Sequence, residues 1–203
     1  MLLYDCKPAP NPWRVRIFLA EKGIEVEKTE VDVPGGETRR PEFLAINSLG
    51  ETPVLKLDDG RHLTESLAIC RYFEELHPNP PLMGRDAAEA GFVEMWTRRA
   101  EFQIMEPVAQ VALHTFDFFA DKLEQVPAYA ETQKRLFAQR TAWLNEELSD
   151  GRSFLTGETF TVADITGMAA LRIADYAGIA IDDSLSHTKA WEMRLRARES
   201  WNA

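Results

Sequence analysis

The step Thr52-Pro53, placed directly before the short apolar run 54–57, constrains the fold of this chain more than any other feature. Proline lacks the N–H that a central strand requires, so it is confined to the first position of such a strand. X-Pro bonds also adopt the cis form more readily than other peptide bonds. We therefore expect a strand behind a cis Thr52-Pro53 bond, with the backbone N–H and C=O of Thr52 turned outward. Groups exposed in this way can pair with an extended peptide.

The residues after this strand predict a hairpin followed by a helix. Asp59-Gly60 is a strong signal for a tight turn. Glu65-Ser66 then opens a segment with apolar residues at helical spacing. Free N–H groups at a helix start favour a carboxylate, and the side chain of Glu65 can hold an amine. Together with Thr52, these groups predict a site for a small peptide with an amino acid head.

Residues 1 to about 77 mix short strands with helices. Residues 2–4 predict the first strand, and Ile24, Val26 and residues 31–33 mark the second. With the hairpin and the helix after it, the order is βαβ followed by ββα. That order is typical of a thioredoxin-like unit.

The first helix is predicted over residues 12–22. Asn11 is its expected N-cap, Pro12 occupies the first helical position, and Gly23 is the stop.

Residues 78–85 predict a linker, because three prolines in the five residues from His77 cannot continue a helix. Residues 86–203 predict an all-helical domain. Its first helix spans 86–120, with a kink or break at Pro107. Further helices are predicted over residues 129–148, 161–176 and 189–199.

The pattern Thr161-x-x-Asp164 resembles a capping box and predicts the start of the helix that Gly178 ends. We expect these two residues to determine the fold and to lie outside the binding site.

Charge and composition argue against several classes of protein. The 203 residues are 45% hydrophobic and 28% charged, as in ordinary globular chains. The net charge of −10 argues against nucleic acid, because phosphate binding needs clustered Lys and Arg. No apolar run approaches the length of a membrane span, and no signal peptide is apparent. Cys6 and Cys70 have neither redox nor zinc spacing, so we expect no metal and a cytoplasmic location.

The motifs in this chain resemble those of the glutathione transferase family, and they span nearly the whole sequence. The matching segments are Leu3-Tyr4, residues 14–23, residues 41–47, Thr52-Pro53, Glu65-Ser66 and residues 160–164. The resemblance implies a thioredoxin-like α/β domain over 1–77 and an all-α domain over 86–203. It also implies a cytosolic, bacterial-type detoxification enzyme that uses glutathione as co-substrate without another cofactor. Such an enzyme transfers an alkyl or aryl group from a small hydrophobic electrophile to the glutathione thiol.

The resemblance also implies a homodimer, in which the α/β domain of one subunit packs on the helical domain of the other. The predicted helix over 86–120 carries more apolar and aromatic residues than one face can bury within a subunit. These residues are Phe92, Met95, Trp96, Phe102, Ile104 and Met105.

The implied glutathione site combines the Thr52-Pro53 backbone with Glu65 and Ser66. Glu65 is expected to bind the α-amino group. The hydroxyl and N–H of Ser66 are expected to bind the γ-glutamyl carboxylate. Arg39 aligns with a family lysine that binds the glycyl carboxylate, and Arg40 is its competitor. Alternatively, Glu65 and Ser66 only cap their helix.

The loop over residues 6–12 is where the sulfur of glutathione would lie. A donor, a cation or a helix N-terminus lowers the pKa of a thiol. Ala9 stands where relatives carry Ser or Thr, and it can donate nothing. Asn11 remains, as in the P-T-P-N pattern of the nu class, and its amide N–H can bond a thiolate. The alternative is that Asn11 only caps the helix.

Cys6 supports a second hypothesis, a glutathione-dependent disulfide or peroxide reductase that forms a mixed disulfide. The alternative for Cys6 is a small buried hydrophobe. Redox relatives carry C-x-x-C at positions 9–12, where this chain has Ala-Pro-Asn-Pro. A third hypothesis is a non-catalytic binding module, which the absence of a donor at Ala9 favours. Cys70 lies on an apolar helix face and is expected in the core.

In the helical domain, Trp96, Arg99 and Phe102 share helical spacing. They belong either to the second-substrate pocket or, as we expect, to the core or the dimer surface. The sequence does not identify the second substrate.

Overall fold

The computed structural model describes residues 1–203, which form two compact units. The first comprises Met1–Pro81 with the last two residues of the chain, and the second comprises Leu82–Trp201. The boundary between them falls inside the segment 78–85 that the prolines mark as a linker. The predicted fold class, a thioredoxin-like α/β domain followed by an all-α domain, is confirmed. No helix is both long enough and apolar enough to cross a membrane.

The first unit contains one four-stranded mixed sheet. Its strands are β1 (Leu2–Asp5), β2 (Glu27–Glu30), β3 (Val54–Lys56) and β4 (His62–Leu63). The spatial order is β2-β1-β3-β4, with β1 parallel to β2 and the other two pairs antiparallel.

The predicted position of the second strand is wrong. The apolar residues Ile24, Val26 and 31–33 flank β2, and the strand itself is the polar run Glu27–Glu30. Its place at the sheet edge explains this sequence, because most of its side chains are exposed and an edge strand gains from charge.

Three helices complete the first unit: α1 (Pro10–Lys22), α2 (Pro41–Leu44) and α3 (Ser66–Leu76). The prediction that Asn11 is the N-cap of α1 is wrong, because Ala9 holds the cap position and Asn11 lies inside the first turn. The fixed φ of Pro10 and its missing N–H suit the first helical position, so the helix begins two residues earlier than expected. Gly23 ends α1 at a φ of 64°, as predicted.

Two X-Pro bonds are cis. The Thr52-Pro53 bond was predicted to be cis, and the Asn79-Pro80 bond was not. The β3–β4 hairpin also lies where the Asp59-Gly60 turn signal places it, and Gly60 has a φ of 86°.

The second unit is helical throughout. Its α-helices are α4 (Ala87–Arg99), α5 (Glu106–Thr115), α6 (Pro127–Glu147), α7 (Val162–Tyr176) and α8 (Ser186–Arg196). A π-helical segment, Ala100–Met105, joins α4 to α5. The predicted break near Pro107 is therefore real, although it lies just before this proline, which occupies the first turn of α5. The predicted end near Ala120 is wrong, because α5 ends at Thr115.

The capping box at the start of α7 is present as predicted. The Thr161 side chain accepts from the Asp164 backbone, and the Asp164 carboxylate accepts from the Thr161 N–H at 3.1 Å. The other Asp164 oxygen accepts from the Leu155 N–H and the Trp191 indole N–H, both at 3.0 Å. Asp164 is thus fully buried within the fold of this unit.

Candidate active site

Strand pairing in the first unit brings the predicted site segments to one edge of the sheet. Tyr4 pairs with Val54 and Leu55 pairs with Leu63, both in antiparallel register. The end of β1, the start of β3 and the end of β4 therefore lie side by side. The chain enters α1 from the first of these ends and α3 from the last. Both helix N-termini consequently flank Thr52, two residues before β3.

The loop between β1 and α1 is held by backbone and ionic bonds. Arg16 forms an ion pair with the buried Asp5 and donates to the Lys7 C=O at 2.9 Å. The Lys7 N–H donates to Glu30 at 2.8 Å, and the Ala9 N–H to the Cys6 C=O at 3.0 Å. The loop N–H groups of Lys7 and Ala9 are thus engaged within the protein.

The first turn of α1 offers few donors to a ligand. Pro10 and Pro12 have no N–H, and the Trp13 N–H donates to the Ala9 C=O at 3.2 Å. The remaining donors of this turn are the backbone N–H and the side-chain amide of Asn11, which is exposed. Ala9, at the cap position, makes no side-chain cap bond, so the exposed amide of Asn11 is the side-chain donor that this turn offers to a thiolate.

Thr52 presents an unpaired backbone at the same edge. Neither its N–H nor its C=O is bonded to another protein group, and the neighbouring Pro53 is buried. The exposed Arg39 lies beside this segment, because its guanidinium donates to the Leu49 C=O at 3.1 Å. Arg40 is exposed too.

Glu65 and Ser66 differ in exposure at the start of α3. Glu65 is exposed and adopts a φ of 65°, which is unusual for a residue with a side chain. Ser66 is buried, and its hydroxyl oxygen accepts a bond from Nη1 of Arg14 at 3.1 Å. Glu65 therefore extends into solvent, while Ser66 is fixed at the helix end.

Arg14, one of the basic residues that the sequence places near the site together with Arg39 and Arg40, is buried beside Ser66. It is 2% exposed and lies on α1 between Trp13 and Val15, which are also buried. The available signal was a cation enclosed by apolar neighbours in the first helix. Buried arginines are rare unless they have a partner.

The two cysteines are buried and free. Burial, followed by the negative charge of Glu30, raises the pKa of the Cys6 thiol above its ordinary value. Burial raises the pKa of Cys70 to about 12. A reactive cysteine needs a lowered pKa and access to solvent, so both thiols have the properties of small core residues.

The three residues at helical spacing in the second unit have different environments. The Trp96 ring is buried and stacks on Trp143 with ring centroids 6.1 Å apart. The Arg99 guanidinium lies 4.9 Å from the Trp96 ring centre, and Phe102 is 57% exposed. Trp96 is thus a core residue, and Phe102 lies on the surface.

Comparison with known proteins agrees with this architecture. The family model described as "Glutathione S-transferase, N-terminal domain" matches residues 9–76, and the C-terminal domain model matches residues 102–199. The chain is 32% identical to glutathione S-transferase 2 of Saccharomyces cerevisiae, over 98% of this chain and 87% of that protein.

Solved structures show the same likeness. A glutathione S-transferase domain-containing protein from Marinobacter aquaeolei is 40% identical with a TM-score of 0.93, covering 99% of this chain and all of the other. The crystal structure of Gtt2 from Saccharomyces cerevisiae is 32% identical with a TM-score of 0.92, covering 100% and 99% of the two chains. The chain belongs to the glutathione S-transferase family.

Proposed function

We propose that this protein is a glutathione transferase that binds glutathione at the sheet edge where α1 and α3 begin. There it activates the thiol for attack on a small apolar electrophile. The observation that supports this proposal is that two helix N-termini flank the unpaired backbone of Thr52. A short extended peptide needs backbone pairing along its middle and an anion site at its end, and this edge offers both. Glutathione is the co-substrate, and the transfer requires no other cofactor.

Each part of glutathione has a partner in this arrangement. Glu65 binds the α-amino group of the γ-glutamyl residue, and Ser66 binds its carboxylate. Thr52, before Pro53, pairs with the cysteinyl backbone. Arg39 binds the glycyl carboxylate, since a guanidinium has five donors and one bond to Leu49 leaves others available. Arg40 is the alternative at this position.

Asn11 holds the sulfur in this proposal. Its side-chain amide and backbone N–H are the donors left in the first turn of α1, and the positive end of the helix dipole favours an anion there. A donor that bonds the thiolate lowers the thiol pKa and raises the reactive fraction at neutral pH. Ala9 cannot contribute a side-chain bond.

The binding site is tested by the double variant Glu65→Ala/Ser66→Ala. It removes the bonds to the amino group and the carboxylate, and we expect glutathione affinity to fall by about 2–4 kcal/mol, because bonds to charged groups contribute ~1.5–3 kcal/mol each. Isothermal titration calorimetry measures the change. Glu75→Ala, at an exposed position in the last turn of α3, is the control and should bind normally. Unchanged affinity in a folded double variant would exclude this site.

A non-catalytic binding module is the second candidate, and the lack of a side-chain donor at Ala9 favours it. Retention on immobilised glutathione, followed by a turnover assay with a panel of electrophiles, distinguishes the two. Retention together with turnover supports the transferase. Strong retention without turnover on any electrophile supports the binding module. A disulfide or peroxide reductase is less well supported, because Cys6 is buried and its pKa is raised.

The proposal includes a homodimer that acts in detoxification in the cytoplasm. Phe92 and Phe102 are 61% and 57% exposed within one chain, and large apolar surfaces of this kind are typical of interfaces. Two buried thiols without a cross-link are consistent with a reducing compartment.

A further inference from the structure

An exposed carboxylate at the edge of the sheet holds the loop between β1 and α1. Glu30 is the last residue of β2, and its Oε1 accepts a bond from the Lys7 N–H at 2.8 Å. Arg16, in the second turn of α1, donates through Nη2 to the C=O of Lys7 at 2.9 Å. The Lys7 backbone is therefore bound on both sides, by a residue of a strand and by a residue of a helix.

The other N–H groups of this loop have partners nearby in the sequence. The Cys6 N–H donates to Oδ1 of Asp5 at 2.9 Å, and the Ala9 N–H donates to the Cys6 C=O at 3.0 Å. Both bonds stay within the end of β1 and the loop itself. The bond to Glu30 is therefore the one that ties the turn over residues 6–9 to a neighbouring strand.

The first turn of α1 depends on the position of this loop. Its two prolines have no N–H, so the bond that returns to the loop comes from Trp13, whose N–H donates to the Ala9 C=O at 3.2 Å. Ala9 is both the N-cap of α1 and the end of the turn over residues 6–9. The position of Ala9 therefore helps to set the position of Asn11, two residues further along.

The loop has little freedom to absorb a shift. The prolines at positions 8 and 10 each fix one of the few backbone rotations between Lys7 and Asn11. A shift of the Lys7 backbone is therefore passed on to the first turn of α1. Such a shift matters beside a reacting atom, because a misplacement of about 1 Å can lower a rate about a hundredfold.

The charge of Glu30 and its bond to the loop have opposite effects on a thiol. A carboxylate near a thiol disfavours the thiolate. Burial raises the pKa of the Cys6 thiol in this loop, and the negative charge of Glu30 raises it further. Removal of the charge alone should therefore lower the pKa of a thiol bound here, whereas displacement of Asn11 should raise it. The two effects predict changes of opposite sign.

We propose that Glu30 is a positioning residue for the turn that binds the sulfur, and that it acts with Arg16 by fixing the Lys7 backbone between β2 and α1. The inference rests on the proposed function, in which Asn11 bonds the thiolate. Glu30 acts through the loop. Its removal should therefore lower kcat and raise the thiol pKa of bound glutathione, while the affinity for glutathione changes little.

The test compares Glu30→Ala with Glu30→Gln. The alanine removes both the charge and the acceptor, whereas glutamine removes the charge and keeps an acceptor oxygen for the Lys7 N–H. In Glu30→Ala we expect kcat to fall about fivefold or more and the thiol pKa to rise, with the Kd for glutathione changed less than about twofold. Glu30→Gln should keep at least about half of kcat, with a thiol pKa that is unchanged or lowered.

Ultraviolet titration of bound glutathione measures the thiol pKa, and isothermal titration calorimetry measures the Kd. Glu27→Ala is the matched control. Glu27 is exposed on the same strand and carries the same charge, but the loop donates to Glu30 instead. Glu27→Ala should therefore match the unmodified protein in kcat and in thiol pKa.

A double variant tests whether Glu30 acts through Asn11. In an Asn11→Ala background, Glu30→Ala should add less than about a twofold loss of kcat, because the group that it positions is already absent. A loss as large as in the single variant would contradict the inference.

The outcomes separate the inference from the proposed function. If the unmodified protein does not bind glutathione, or if Asn11→Ala changes neither kcat nor the thiol pKa, the proposed role of the first turn is wrong and the inference falls with it. If Asn11→Ala has its expected effect while Glu30→Ala keeps full kcat, or leaves the thiol pKa unchanged or lowered, the inference about Glu30 is wrong. In a protein that binds glutathione without turnover, the thiol pKa alone decides.

Discussion

Asp164 is a fully buried carboxyl group at the start of α7, surrounded by donors. It accepts from the N–H groups of Leu155, Trp191 and Thr161 at 3.0–3.1 Å. These bonds favour the charged form, yet burial outweighs them and raises the pKa of Asp164 from 3.8 to about 6. The protonated form is therefore more stable in the folded chain than in the unfolded one.

This pKa predicts a pH dependence of stability. Because the folded pKa lies above the unfolded value, the contribution of Asp164 is complete below pH 3.8 and is lost as the pH rises through about 6. The loss is about 3 kcal/mol, at 1.36 kcal/mol per pH unit. Asp164→Asn has no titrating group at this position and serves as the reference. As the pH rises from 4 to 6.5, we expect the unfolding free energy of the unmodified protein to fall by this order relative to that of Asp164→Asn.

Urea unfolding at each pH measures this difference, and the other carboxyl groups cancel in the comparison. A constant difference across the range would show that Asp164 stays ionised when folded. Asp164→Ala should be destabilised at every pH by about 1–3 kcal/mol or more, because buried donors lose their acceptor.

Asn11 is the residue to test for catalysis. Asn11→Ala removes a donor that favours the thiolate alone, so we expect turnover to fall about tenfold or more while glutathione affinity changes little. The thiol pKa, followed by ultraviolet titration of bound glutathione, should rise. Cys6→Ser is the matched comparison and should be nearly silent. Loss of activity in Cys6→Ser with full activity in Asn11→Ala would favour cysteine redox chemistry instead.

Sequence reasoning proposes site residues where local chemistry marks them. Thr52 is marked by the proline after it, and Glu65 with Ser66 by the helix that follows a turn. The bond from Arg14 to Ser66 carries no such mark, because the two residues are 52 positions apart. The order of the strands in the sheet brings two such distant residues together, and a single sequence does not reveal that order.

At the scale of elements, prediction succeeded where a side chain fixes the helix end. The Thr161–Asp164 box and Gly178 predicted both ends of α7. It failed where two signals competed. Asn11 is a good N-cap by residue type, but Pro10 suits the first helical position and moved the start of α1. The edge strand β2 was misplaced because it has little apolar surface to bury.

Two helical glycines predict opposite responses to alanine. Gly167 lies in α7 against the Trp191 ring, and a Cβ there would come within 2.5 Å of the ring. Gly91 lies in α4 with nothing within 4 Å of the added Cβ. Alanine favours a helix by about 1 kcal/mol over glycine, so Gly91→Ala should be stabilised by about that much. Gly167→Ala should be destabilised by about 1–3 kcal/mol, because the core around Trp191 is overfilled.

Chemical denaturation of both variants decides this prediction. In Gly91→Ala the change in unfolding free energy reflects only the helix preference of alanine, because the added Cβ contacts nothing. This variant therefore serves as the reference for Gly167→Ala. Equal stabilisation of the two would show that the Trp191 ring moves away at no cost.

At the scale of the whole molecule, the two units differ in what they contribute. The first carries the strand edge and both helix N-termini proposed to bind glutathione. The second is built from long helices and leaves large apolar side chains exposed, among them Phe92 and Phe102. Composition could not separate these side chains from core residues such as Trp96, because all three lie in one helical pattern.

The exposed side chains of the second unit predict the state of assembly. Phe92 lies in α4 and Phe102 in the π-helical segment that follows it, and both are more than half exposed. A stable dimer buries its apolar anchors at the centre of the interface, so we expect sedimentation equilibrium at micromolar concentration to give twice the 23.1 kDa chain mass. Phe102→Glu would place a charge in that interface and should shift the protein toward monomer. Met193→Glu changes an apolar side chain on α8 that is also more than half exposed, and it should leave the mass unchanged. A monomer at micromolar concentration, or an equal response to both substitutions, would contradict an interface at Phe102.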